Sequence, residues 1–576
     1  MSRAFLSVAL LLSTLAAGAD SLAAKGEIKG RLSTIEQHLA AWNVDEAQTQ
    51  LDALESSLPA GLHNLEPLRY FRGRVLFEQG KYAEAIEQFK QAGVDDSAGS
   101  YLRLAKDTLS VVGEHQRIES AHFIFLFPAG KDAVLAPYAL ETLEAIRTAL
   151  ETDFGYVPKN KVRVEVVSNA AALAKVSTLT KEQIRTTGTI AICKFNKLMV
   201  TSPKAVIRGY DWLDTLAHEY VHLVVSQKSQ NTVPIWMHEG LAKYLESRWR
   251  GSPGGAMTPS TLALLGSRVK TNTLVPFEKM HPSMALLPTA EDAATAFAEV
   301  FFAMDYLYRE LGPGAFKGLL NKMAAGVNDK GAVEAVTKKS WAAFEKGWLA
   351  HIKKQPFPKE LIPPSSNERK ELAENAVAKA KKSKEKEKRD ISFGDFAEIS
   401  ETDARKWAHL GEVMRERGRM GAAAEHYGRA YDKVGSRYES VSNKYALTLM
   451  ELSRFDDAEK VLKTSLEMHP GSAQTNVHRG RLAIRKNEWA KAKDAYLQAL
   501  AVNPFDEEVH VGLLRSALSL GDTQLVTQAR AAVVTLLKIS AQDATTLALS
   551  YLVRDDLVNI GFQKNDNGEK AFDAGS

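Results

Sequence analysis

The sequence predicts an α+β fold: a mainly helical, multidomain chain with one small mixed sheet, flanked by helical-repeat segments. Three observations predict it. Apolar residues recur at helical spacing through most of the chain. One stretch, residues 120–202, switches to the alternation of strands. Residues 404–540 repeat themselves at a period of about 34–35 residues, the length of a stacked helix pair. The 576 residues suit about three or four domains. A hydrophobic content of 45% supplies real cores. A net charge of +4 is too small to argue for nucleic acid or an anionic membrane, so neither a nucleic-acid partner nor stable membrane insertion is expected.

Residues 1–19 read as a signal peptide: Arg3 near the start, an apolar run to Leu15, and Ala17-Gly18-Ala19 as a small-residue cleavage site. The run is too short to span a membrane. No cysteine lies near the cleavage site to carry a lipid anchor. The expected location is periplasmic or secreted. Cys193, the single cysteine, excludes an intrachain disulfide. It lies in the apolar run TIAICKF and reads as a buried small side chain rather than a nucleophile.

Residues 26–115 read as helices. Gly73, Leu76, Gly80, Tyr82, Ala85, Phe89 and Ala92 match the tetratricopeptide helix-turn-helix pattern, in which small residues let two helices approach and aromatics fill the space beside them. One such unit cannot bury its own face, so it should pack on flanking helices or on the next domain. Residues 120–360 form the next domain. Strands are expected at 121–127, at Val162 to Val167, and as a pair at 188–194 and 198–201 around Phe195-Asn196, with a helix at 135–152. A long amphipathic helix follows at 289–311. Residues 365–395 read as a charged linker. Residues 400–540 form the repeats: Trp407, Gly411, Ala423 and Tyr427 set one register, Ala446, Ala458 and Pro470 a second, Trp489, Ala492, Tyr496 and Pro504 a third. A degenerate fourth unit would cap them. Residues 541–576 are a C-terminal helix and tail. Such an array offers a groove for a protein partner.

The chemistry is concentrated in two segments. His218-Glu219-Tyr220-Val221-His222 sits in an apolar helical pattern, so the two histidines share a helix face and can grip one metal ion. Glu219 flanks that face, within reach of a water held by the metal. Catalytic zinc sites use three protein ligands and leave a position open. The second segment, Ile235-Trp236-Met237-His238-Glu239-Gly240-Leu241, opens another helix after Pro234 and offers Glu239 as the third. Asp214, one turn before His218, reads equally well as a support for a ligand or as a surface charge.

HEYVH followed by PIWMHEGLAKYLE resembles the gluzincin zinc metallopeptidases, in particular the peptidase MA-like group. The resemblance implies a thermolysin-like zincin domain, with Zn2+ held by His218, His222 and Glu239 and Glu219 as general base acting on a zinc-bound water. It also implies that substrate lies along the 188–201 hairpin. Relatives place a tyrosine early in the 289–311 helix to steady the oxyanion; this chain has Phe297 there, and Tyr306, Tyr308 or His281 are the available substitutes. No segment supplies the carboxylate cluster that an aminopeptidase needs for a free amine, which favours an endopeptidase. The expected function is thus a secreted or periplasmic zinc metallopeptidase acting on a peptide or protein substrate, with repeats that recruit substrate or partner. The alternative is a catalytically weak or inactive zinc-binding domain in a tetratricopeptide interaction scaffold.

Overall fold

A computed structural model describes residues 22–59, 62–207, 209–255, 257–358 and 396–552. The expected signal peptide, the charged linker and the tail after Leu552 lie outside the described residues. Two compact units form, the first within residues 1–207, 213–255 and 274–354, the second within 208–212, 256–273 and 355–576. No described helix is long and apolar enough to cross a membrane.

The first unit opens with helices α1 (Leu22–Ala40), α2 (Val44–Ser57), α3 (Glu66–Glu78), α4 (Tyr82–Gln91) and α5 (Tyr101–Val112). Strands β1 (Gln116–Glu119) and β2 (Phe123–Phe127), helix α6 (Ala136–Phe154), strand β3 (Val162–Val167), short helices α7 (Ala170–Val176) and α8 (Lys181–Thr187), and strands β4 (Ala191–Lys194) and β5 (Lys197–Thr201) follow. Then come α9 (Trp212–Ser229), α10 (Ile235–Leu245), α11 (Pro259–Thr271, part of the second unit), α12 (Ala290–Leu311), α13 (Gly314–Ala324), α14 (Asp329–Thr337) and α15 (Trp341–Lys353). The sheet order is β1-β2-β3-β5-β4. Its centre is parallel, β2 with β3 and β3 with β5, and both outer pairs are antiparallel. The expected strands are therefore present, with β4 at an edge.

Strand β1, helix α7 and helix α8 were not anticipated. β1 reads QRIE and is exposed throughout, so it carries no apolar alternation to betray it. α8 is only seven residues long and owes its start to a capping box between Thr180 and Gln183.

The N-terminal helices do not stand alone. Their apolar core, including Leu51, Phe71, Phe77 and Phe89, continues into Val167, Leu173, Phe195 and Met199 of the sheet region. This is how a lone helix pair hides the face it cannot bury itself. It also explains β3. The VRVEVV alternation suggests one wet face, but nearly every residue of the strand is buried, because helices cover both sides.

The second unit carries four helix pairs: α16 (Thr402–Glu416) with α17 (Met420–Val434), α18 (Glu439–Glu451) with α19 (Phe455–Met468), α20 (Ala473–Arg485) with α21 (Trp489–Leu500), and α22 (Glu507–Leu520) with α23 (Thr523–Leu537). Helix α24 (Ala541–Ser550) ends the described chain. The small-to-aromatic pattern has one physical meaning in both units. A methyl group added at Gly73 would stand 2.7 Å from the Phe89 ring, at Gly411 2.8 Å from Tyr427, and at Gly480 2.5 Å from Tyr496. The glycine of the first helix is the seat for the ring of the second.

Candidate metal centre

Helix α9 carries His218, Glu219 and His222 toward α10. Between the helices the chain reverses at Gln230 and Asn231, both in the left-handed region (φ 56° and 59°), with the Asn231 amide donating to the Ser226 carbonyl at 2.8 Å. Pro234 then opens α10, accepting the amides of Met237 and His238 on its carbonyl, and its fixed ring suits a helix start. The reversal brings Glu239 back onto the histidine face. Gly240 lets α10 lie close on α12: a methyl there would meet the Val300 carbonyl oxygen at 3.0 Å and Met304 Cγ at 3.1 Å.

The three expected ligand groups converge. His218 Nε2 and His222 Nε2 stand 3.1 Å apart, and Glu239 Oε2 is 3.5 Å from each. They form the one group of three or more potential metal-binding side chains of this kind among the described residues. A tetrahedral ion with bonds of about 2.0–2.1 Å sets neighbouring ligand atoms about 3.3–3.4 Å apart. The observed triangle brackets that spacing, so the donor set fits zinc in size, number and chemistry.

The outer nitrogens of both rings are also held. His218 Nδ1 donates to Glu246 Oε2 at 3.1 Å, and Glu246 accepts from Lys243 as well. His222 Nδ1 lies 2.6 Å from His238 Nδ1, and His238 Nε2 lies 3.1 Å from Ser226 Oγ. One assignment satisfies the second chain: His222 donates to His238, which donates to Ser226. Both Nε2 atoms are then the ones left to offer lone pairs to a cation, the arrangement that supporting partners impose on metal-binding histidines.

The electrostatics agree. Burial would lower the His218 pKa, but its hydrogen bonds with Glu239 and Glu246 outweigh it and push the value up to about 10. A proton thus occupies this field when no cation does, and the two compete for one lone pair. Burial opposes ionisation of Glu239, yet His222 and His218 hold it well below the usual carboxylate range. His238 is driven down to about 3 by burial and then by His222, which keeps it neutral as the relay requires. Glu219 is only 7% exposed, and burial raises its pKa, the direction that suits a general base. Cys193, on edge strand β4, lies near enough to Glu219 for the two to act on each other electrostatically. Cys193 is half-buried rather than buried as expected, and its thiol is pushed well up by desolvation and then by Glu219, the opposite of an activated nucleophile.

Asp214 supports no ligand. It accepts from Trp249 Nε1 at 2.8 Å and Arg250 at 2.6 Å, tying the start of α9 to the turn after α10. Glu246 takes the supporting role, and sequence reasoning missed it. The signal was its place about two helical turns beyond Glu239, on the same face of α10. Tyr306 packs on Phe344 and His351, and Tyr308 on Tyr244 and Phe316, so both are engaged in aromatic packing. His281 is exposed after a 3-10 turn.

Residues 143–354 match the Peptidase MA superfamily model. Residues 38–100 and 449–518 each match a tetratricopeptide repeat model. No curated protein matches the chain. Among solved structures, the crystal structure of the MamA protein is 20% identical over 25% of this chain and 80% of that one, with a TM-score of 0.23. The crystal structure of the APC/C hetero-tetramer Cut9-Hcn1 is 11% identical over 92% of this chain and 91% of that one, also with a TM-score of 0.23. The chain thus joins a segment that matches the Peptidase MA superfamily model and holds the His218–His222–Glu239 cluster to segments on both sides that match tetratricopeptide repeat models.

Proposed function

We propose that this protein is a zinc-dependent metallopeptidase of the gluzincin kind that hydrolyses peptide bonds. The observation that carries the reading is the triangle of His218, His222 and Glu239, with both histidines supported from behind and Glu219 beside them. Zinc at this position would supply Lewis acidity, lowering the pKa of a water toward neutrality and polarising the scissile carbonyl. Glu219 takes the proton from the attacking water and later delivers it to the leaving amine. Its electrostatic contact with Cys193 sets β4, an edge strand, beside it. A substrate backbone pairing with that edge would lie next to the base.

On this reading the C-terminal repeats recruit substrate or a partner protein, cleavage is internal, and residues 1–19 direct the chain to the periplasm or outside the cell. Metal analysis paired with a chelator-sensitive casein assay tests it. The purified chain is expected to hold one zinc and to lose casein hydrolysis on chelation, and His218→Ala to lose the metal. A metal-free chain that digests casein at full rate would sink the assignment. A second reading, an inactive zinc-binding domain in an interaction scaffold, draws support from Phe297 and from the packing of Tyr306 and Tyr308. Zinc bound without turnover would favour it.

A further inference from the structure

We propose that the N-terminal helical repeat is an internal clamp on the β4–β5 hairpin, and that Phe195 is the positioning residue through which it holds β4 against Glu219. Only the consequence for turnover rests on the peptidase reading; the clamp itself does not.

The turn between β4 and β5 is the first observation. Phe195 and Asn196 both take left-handed backbone (φ 55° and 56°), the geometry of a two-residue hairpin turn that selects asparagine and glycine. Asn196 suits it. Phe195 does not, because a bulky side chain crowds the backbone at positive φ. Its ring accounts for the choice. Phe195 is 7% exposed and meets Phe77 edge-on at 5.3 Å and Tyr101 at 6.2 Å. A hairpin tip is ordinarily a wet, polar loop. This one is built into an aromatic face made by α3 and α5.

The next residues of the hairpin are anchored to the same helices. Lys197, 1% exposed, donates to the Tyr82 hydroxyl of α4 and to Glu165 of β3, each at 2.7 Å. Its ammonium lies 5.5 Å from the centre of the Phe77 ring. Met199 and Ile192 join the same apolar core. Two residues before the tip, Cys193 lies near enough to Glu219 for the two to act on each other electrostatically. The path from repeat to base is therefore short: Phe77 and Tyr101, the Phe195 ring, the β4 backbone, Glu219. Loosening the tip would let the edge strand tilt away from Glu219. The face of this repeat toward the sheet is filled by the chain's own hairpin, so it serves as support rather than as a docking site.

Phe195→Gly tests this in the full chain, since it removes the ring and gives the turn a residue it prefers. Phe195→Tyr keeps the ring. Hydrogen exchange across residues 189–201, zinc content, and kcat and KM on labelled casein are measured for each. In the glycine variant, exchange in β4 is expected to rise about tenfold and KM about tenfold at unchanged zinc content. The tyrosine variant should track the wild type. Unchanged exchange in β4 overturns the clamp, as does faster exchange with wild-type kcat and KM in an active enzyme. Should the zinc-loaded wild type cleave nothing, the peptidase reading fails and exchange alone decides the clamp. If the glycine variant does not fold, Tyr82→Phe, which removes one hydroxyl, is read by the same measurements.

Discussion

A buried and a half-buried cluster of ionisable side chains in the first unit differ in where the positive charge comes from. At the junction of repeat and sheet, Lys197, Glu165 and Tyr82 close on themselves: the ammonium donates to the carboxylate and to the hydroxyl, the hydroxyl donates to the carboxylate, and the chain provides its own cation. At the candidate metal centre, two imidazoles and a carboxylate converge, and the positive charge there is a proton on His218. A cluster complete in its own charges is a structural rivet. One whose donors converge on a common point and hold only an exchangeable proton would, on the peptidase reading, exchange it for a metal ion. Substitutions in the two clusters should therefore fail in different ways, one in activity at constant stability, the other in stability.

The largest effect is expected at Glu219. Glu219→Gln should slow casein hydrolysis by about 10²–10⁴-fold, with zinc content kept. The unfolding midpoint should not fall, because the change removes a buried charge rather than a partner. A variant that loses zinc or stability instead would place Glu219 with the rivets. Next comes Lys197→Met, which leaves the buried Glu165 with only the Tyr82 hydroxyl and a long ion pair to Arg163 at 3.9 Å. A loss of about 3–5 kcal/mol is expected in urea unfolding. Adding Glu165→Met should restore most of it, since an apolar pair replaces an ion pair at little cost. If the double variant is as unstable as the single, the cluster does more than close its own charges.

The two clusters were also unequally legible in the sequence. The convergence of the candidate ligands could be read because His218 and His222 lie one turn apart on an apolar helix, and local spacing fixes a shared face. Glu239 came from the helix that follows and from resemblance. Glu246 and His238 sat in plain view on that helix, but only the return of α10 across α9 shows that they back the two ligands. The rivet could not be read at all. Tyr82, Glu165 and Lys197 come from distant parts of the chain, 83 and 32 residues apart. Glu165 looks like the solvent face of a strand until the repeat covers it. For the same reason β4 and β5 were expected, whereas the burial of their turn was not. Long-range packing decided what local pattern left open.

Glu246 gives a finer contrast between the supports of the two histidines, one anionic and one neutral. Glu246→Gln keeps a hydrogen-bond acceptor for His218 and removes the negative charge. Zinc affinity by competition with a chelator should fall about 10–100-fold, with the fold intact. The same affinity as wild type would mean that orientation alone, not charge, is what Glu246 provides.

The smallest expected effect lies at Gly240, beside the third ligand. Gly240→Ala adds a methyl 3.0 Å from the Val300 carbonyl oxygen and 3.1 Å from Met304 Cγ. Alanine improves helix propensity by about 1 kcal/mol, while overpacking costs about 1–3 kcal/mol. The net loss should be about 1 kcal/mol in urea unfolding. Met304 can swing aside, but the carbonyl is backbone, so α10 must move off α12 by a few tenths of an ångström. Glu239 moves with it. Zinc affinity should therefore weaken, by less than in Glu246→Gln, with the fold still cooperative. A stabilised variant with full affinity would show that the close approach of α10 to α12 is not what holds the third ligand in place.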